Sequence, residues 1–259
     1  DGTTGLWTLN ETSGTKTVTG GVITGGNMSG EKMNGAGIHV DGNLTLNGGS
    51  IVGNATTGTD TFGGGGVYVD GSFTMNGGEI SSCTASDRGG AIYLWSSSTL
   101  TTTGSAAVKD CRAKDGGAIC GANGVIYIKG GTFSSNTATG KGGVLESVGS
   151  NIWVSGGVFE NNTAVTGGAF STDGGRLIMT DGIFRENTDS SGYNAITTST
   201  GNLVLGGPLT FESSQSFRVL NLPSDGFQIG TPTGISSSSF TDEQFTQYYD
   251  EILEFSETT

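Results

Sequence analysis

Short runs in which apolar and polar residues alternate recur along this chain at a nearly fixed spacing. Leu44-Thr45-Leu46, Phe73-Thr74-Met75, Leu100-Thr101-Thr102, Ile126-Tyr127-Ile128, Ile152-Trp153-Val154, Leu177-Ile178-Met179 and Leu203-Val204-Leu205 align. In an extended strand the first and third residues of each run point inward and the middle one outward. A small-residue pair follows each run, and these pairs return every 25 to 29 residues: Gly48-Gly49, Gly77-Gly78, Gly104-Ser105, Gly130-Gly131, Gly156-Gly157, Asp181-Gly182 and Gly206-Gly207, after a first pair at Gly20-Gly21. Beyond the pair comes an apolar anchor with a polar or thiol residue three places on, as in Ile51/Asn54, Ile80/Cys83, Val108/Cys111, Phe133/Asn136, Phe159/Asn162 and Phe184/Asn187. A third stretch follows a second small-residue pair, as in Gly89-Gly90-Ala91-Ile92, Gly116-Gly117-Ala118-Ile119 and Gly167-Gly168-Ala169-Phe170.

Strands this short are not stable alone, and one unit cannot bury its own apolar side. Stacked units give every strand a parallel neighbour about 4.8 Å away and turn the inward residues into continuous ladders. The pattern predicts an all-β, right-handed parallel β-helix of about eight coils with three short strands each, the hand following from the near-universal right-handed crossover of parallel strands. The repeat domain is read as 1–219, with an N-terminal cap to about residue 16. Residues 220–259 form a different segment: Thr241-Asp242-Glu243-Gln244 has the form of a capping box with Phe240 as its staple. Phe245, Tyr248, Tyr249, Ile252 and Leu253 then recur at helical spacing, so a short acidic amphipathic helix that caps or docks is expected.

Glycine fills 49 of 259 positions, as narrow corners require. Net charge is −13 and the 11 Lys and Arg residues are scattered, so no basic groove for nucleic acid and no patch for an anionic membrane is expected. The surface composition of Ser, Thr, Asn and Gly suits an extracellular protein, and sequons for glycosylation stand at Asn10, Asn27, Asn43, Asn54 and Asn161. Cys83 and Cys111 hold equivalent slots of adjacent coils, where a disulfide or a pair of stacked thiols fits. Cys120 aligns with Tyr68 and Tyr93 in an outward row that His39 begins. Another outward column changes from Thr45, Thr74 and Thr101 to Tyr127, Trp153, Ile178 and Val204, an apolar stripe that predicts a contact surface.

The units resemble those of the polymorphic membrane proteins of Chlamydia and of adhesin-like bacterial β-helix proteins, whose marks are GGA followed by an aliphatic residue and FxxN. Three GGA copies stand at Gly89-Gly90-Ala91, Gly116-Gly117-Ala118 and Gly167-Gly168-Ala169, and FxxN runs from Phe133, Phe159 and Phe184, with the resemblance covering about residues 17–210. It implies a secreted or surface-displayed β-helix that meets a protein or glycan ligand. Self-association into filaments, and binding or cleavage of a polysaccharide, are the alternatives. Cleavage calls for paired carboxylates with a basic partner; only Asn187-Thr188-Asp189 echoes such a motif, and Asp41 and Asp70 are a sparse set for calcium. No catalytic set, cofactor or metal is expected.

Overall fold

The computed structural model describes residues 7–9, 14–29, 35–58, 63–192, 194–199, 202–205, 209–212, 215–219 and 228–229. They form a β-solenoid of about seven turns, against the eight expected, in which the units at both ends are only partly described. No helix occurs among the described residues; Phe245, Tyr248, Tyr249, Ile252 and Leu253 lie outside them.

Successive coils pair in parallel in sheets of nine, fourteen and five strands. One complete coil reads Ile38–Val40 in the nine-stranded sheet, Asn43–Leu46 and Ser50–Val52 in the fourteen-stranded sheet, and Ala55–Thr56 in the five-stranded sheet. Three strands per coil is therefore a simplification. Early coils have a fourth, two-residue strand, and in later coils the second and third strands fuse across the glycine pair into Val125–Ser134, Asn151–Glu160 and Arg176–Arg185. The register shifts at that pair, between Ile128 and Thr132 and again between Val154 and Val158, so a bulge replaces the corner.

The inward columns follow the alternation. Leu44 pairs with Phe73, Phe73 with Leu100, Leu100 with Ile126, Ile126 with Ile152 and Ile152 with Leu177, all buried. A second column is a stack of rings, Phe133, Phe159, Phe184 and Phe211, at centroid separations of 5.3, 4.6 and 5.1 Å. Beside it runs a polar ladder inside the solenoid. The Oδ1 atoms of Asn136, Asn162 and Asn187 accept the backbone N–H of Cys111, Asn136 and Asn162, while their Nδ2 atoms donate to the carbonyls of Val108, Phe133 and Phe159. Buried corners leave backbone groups without strand partners, and these amides satisfy them.

Two corner devices explain the small residues. In each of the three GGA motifs, and in the equivalent Gly142-Gly143-Val144, the first glycine is left-handed, with φ of 65°, 64°, 63° and 65° at Gly89, Gly116, Gly142 and Gly167. A β-carbon at Gly89 would overlap the carbonyl of Ile92, because this turn folds back over the outside of the strand it precedes. One residue before the polar ladder the chain is left-handed again, at Ser82, Asp110, Ser135, Asn161 and Glu186, with φ between 53° and 56°. There the stacking of coils imposes a conformation that non-glycine residues avoid.

The first coil ends the core. Lys16 stands at the register position of Leu44, and a cavity of about 550 Å³ lies between Val18 and Ile23 of that coil and Ile38, Leu44, Leu46 and Ile51 of the next.

Candidate functional site

Two outer faces carry chemistry. On the fourteen-stranded sheet one outward column runs Thr45, Thr74, Thr101, Tyr127, Trp153, Ile178 and Val204, each in register with the next. The three threonines are half-buried, and beside them a second ladder is hydrogen-bonded: Asn76 Nδ2 donates to Asn47 Oδ1 at 2.9 Å, and Thr103 Oγ1 donates to Asn76 Oδ1 at 2.9 Å. Tyr127 and Trp153 are half-buried with ring centroids 5.1 Å apart and planes 25° from parallel. Rings this close cannot lie side by side flat on the sheet. They stack face to face from one coil to the next, so that ring edges rather than an open ring face are presented outward. The Lys129 ammonium lies 5.6 Å from the Tyr127 centroid, within cation–π range.

Along the outward apolar stripe burial is uneven: Ile178 and Val204 are only 8% and 7% exposed, so the open part of the column is the half-buried Tyr127–Trp153 pair. Their outward position was legible in the alternation.

The nine-stranded sheet departs further from expectation. Its outward row, His39, Tyr68, Tyr93, Cys120, Glu146, Ser171 and Thr197, is in register coil by coil. From Tyr68 to Thr197 it is buried rather than solvated. Tyr68, Tyr93 and Cys120 form a second apolar cluster outside the solenoid, with Trp95 and Ala122 packed against it. Tyr68 therefore has no open ring face for a sugar; its ring meets the edge of His39 at 4.8 Å and stacks on Tyr93 at 5.7 Å.

Glu146, absent from the sequence-based candidates, is the most unusual group in that row. It is 3% exposed, and Cys120 Sγ donates to its Oε2 at 2.9 Å. Burial pushes the Glu146 carboxyl above the usual glutamate range, against the Cys120 hydrogen bond and the field of Arg88, which favour the carboxylate. Burial and the neighbouring Glu146 also push the Cys120 thiol well up. A sealed thiol held protonated is inert as a nucleophile, so the pair is a structural contact. Its only sequence signal was a glutamate in register with the Tyr68–Tyr93–Cys120 row.

Cys83 and Cys111 are free and buried; Cys83 Sγ lies 3.4 Å from the Ser81 carbonyl and Cys111 Sγ 3.2 Å from that of Lys109, so the pair stands as stacked thiols in the asparagine ladder and not as a disulfide. Asn54 is the sequon that burial removes: it is 0% exposed, its Oδ1 accepts Gly26 N and its Nδ2 donates to the Ile23 carbonyl, leaving no accessible amide. Asn27, Asn43 and Asn161 are exposed, and Asn10 lies outside the described residues. Asn187 points into the interior ladder, which separates it from any surface role with Asp189. Among the described residues no three His, Cys, Asp or Glu side chains converge as a metal site.

No known protein family, no curated protein and no solved structure matches this chain.

Proposed function

We propose that this chain is an extracellular, adhesin-like contact module that binds a protein partner through the outer face of its fourteen-stranded sheet. The observation that carries the reading is the half-exposed Tyr127–Trp153 stack, flanked by Lys129 and bordered by a rigid hydroxyl and amide ladder. Aromatic anchors held rigid before binding lose little entropy on contact and dominate interface energetics. Overlapped rings that offer edges suit the hydrogen-bonding groups and side-chain crevices of a protein better than the flat faces of sugar rings, which need an open ring face. The resemblance of the GGA and FxxN units to displayed bacterial β-helices supports the same reading and the extracellular location. A filament built through the first coil has less support, because Lys16 stands where a stacking neighbour would need an apolar residue. Catalysis also has less support, since the thiol–carboxyl pair Cys120–Glu146 is sealed.

The test is binding of the purified chain to parallel protein and glycan arrays, with Trp153→Ala and Thr74→Val measured beside it. The expected result is capture on the protein array, weakened about tenfold or more by Trp153→Ala, with the melting temperature of each variant near the parent's. Capture confined to glycans, or protein capture indifferent to Trp153→Ala, overturns the reading.

A further inference from the structure

We propose that Cys83 and Cys111 form a two-coordinate site for a soft, thiophilic metal ion of the Cu(I), Ag(I) and Hg(II) class, held between two successive coils. The two thiols occupy the same place in their coils. Cys83 Sγ lies 3.4 Å from the Ser81 carbonyl and 3.6 Å from that of Ile51, and Cys111 Sγ lies 3.2 Å from the Lys109 carbonyl and 3.9 Å from that of Ile80. Ser81 pairs with Lys109, Ile51 with Ile80, and Thr84 with Arg112 on the other side of the thiols. The sulfurs are therefore related by one coil step, roughly 4.8 Å. Each thiol also shifts the ionisation of the other, as close neighbours do.

That spacing decides the chemistry. A disulfide needs its sulfurs about 2.05 Å apart, less than half a coil step. Two metal–thiolate bonds in line, at about 2.3 Å each, span about 4.6 Å. An ion midway between the sulfurs would meet both with little movement of either coil.

The surroundings decide the kind of ion. Both cysteines are fully buried in the same core cluster as Ile51, Ile80 and Val108, and among the described residues no three His, Cys, Asp or Glu side chains converge. Zinc would lack its remaining ligands, and calcium or magnesium its oxygen shell. Thiolates alone select soft ions, and those that accept two ligands in a line fit best. Charge ranks the class. Hg(II) displaces one proton from each thiol, forms two S–Hg bonds and leaves a neutral unit, with both protons passing to solvent and no change of oxidation state. Cu(I) or Ag(I) bound the same way leaves one negative charge in the apolar core, which is costly. Entry runs through the five-stranded sheet, where the strands next to the thiols, Thr84–Ala85 and Arg112–Ala113, are two residues long and open locally most easily.

Mercury(II) chloride, equilibrated with the full chain at one equivalent, tests the site. The melting temperature should rise by several degrees, two protons should be released per metal bound, and X-ray absorption at the mercury edge should show two sulfur neighbours at about 2.3 Å. Cys120→Ser should behave as the parent does. Cys83→Ser should gain no stability from the metal, because an adduct on one thiol carries an uncompensated charge into the core. If Cys83→Ser does not fold, Cys111→Asn, which supplies the residue this slot holds at Asn136, is read the same way. A parent melting temperature that stays level or falls, equal stabilisation of the parent and the single-thiol variant, or a mercury shell with one sulfur or with three or more overturns the proposal.

Discussion

At Glu146 burial opposes ionisation while a thiol and a guanidinium favour it, and burial wins. The sign of the pH effect follows. With its folded pKa raised above the unfolded value, Glu146 contributes stability that is fully present below the ordinary glutamate range, near pH 4, and is lost as pH rises through the raised folded value. Thermal melts of Glu146→Gln across that window should show a flatter pH dependence than the parent, with the difference growing toward neutral pH; parallel curves would mean that the carboxylate is not desolvated. Glu186 offers a second residue-scale test. Its φ of 53° is costly for a glutamate, and asparagine tolerates the left-handed region better, so Glu186→Asn should stabilise by about 0.5–1 kcal/mol in chemical denaturation.

Within a coil, the inward strand positions and the polar ladder carry different loads. Ile152 is 1% exposed between Ile126 and Leu177, so Ile152→Ala should cost about 2–5 kcal/mol and Ile152→Asp should prevent folding, read by circular dichroism and melting. Asn162 serves three partners at once, accepting Asn136 N and donating to the Phe133 carbonyl and to Asn187 Oδ1. Asn162→Leu would leave buried backbone groups unpaired at about 1–3 kcal/mol each. Asn162→Cys should be tolerated better than Asn162→Leu, since Cys83 and Cys111 already occupy this slot; equal losses for the two variants would argue that the slot selects for volume and not for polarity.

For the whole solenoid, stability is a sum over neighbouring coils, and a coil with one neighbour opens before a coil with two. Among the described residues Thr15–Val18 pairs on one side only, whereas Ile119–Ala122 is held between Ile92–Leu94 and Leu145–Val148. Hydrogen exchange should therefore be fastest in the first coil and slowest around Ile119, and uniform protection along the chain would point to a single all-or-none unit. With −13 net charge and the cationic groups dispersed, the proposed contact with a protein partner would rest on local groups such as Tyr127 and Trp153 and not on long-range attraction to a polyanion.

The sequence by itself determined the period, the parallel register and the side of the strand on which each residue falls. Leu44, Phe73, Leu100 and Ile126 stack as the alternation requires, and Asn54, Cys83, Cys111 and Asn136 share one slot, because strand alternation and a fixed repeat are local and add up coil by coil. What lies beyond the strand was decided only in three dimensions. Tyr68, Tyr93, Cys120 and Glu146 face outward yet are buried, since a small-residue turn packs against the backbone of each of those strands. Asn54 reads as a surface sequon and is spent on the Ile23 carbonyl and the Gly26 amide of the preceding coil. Alternation states which way a side chain points; only the packed chain states what it meets there.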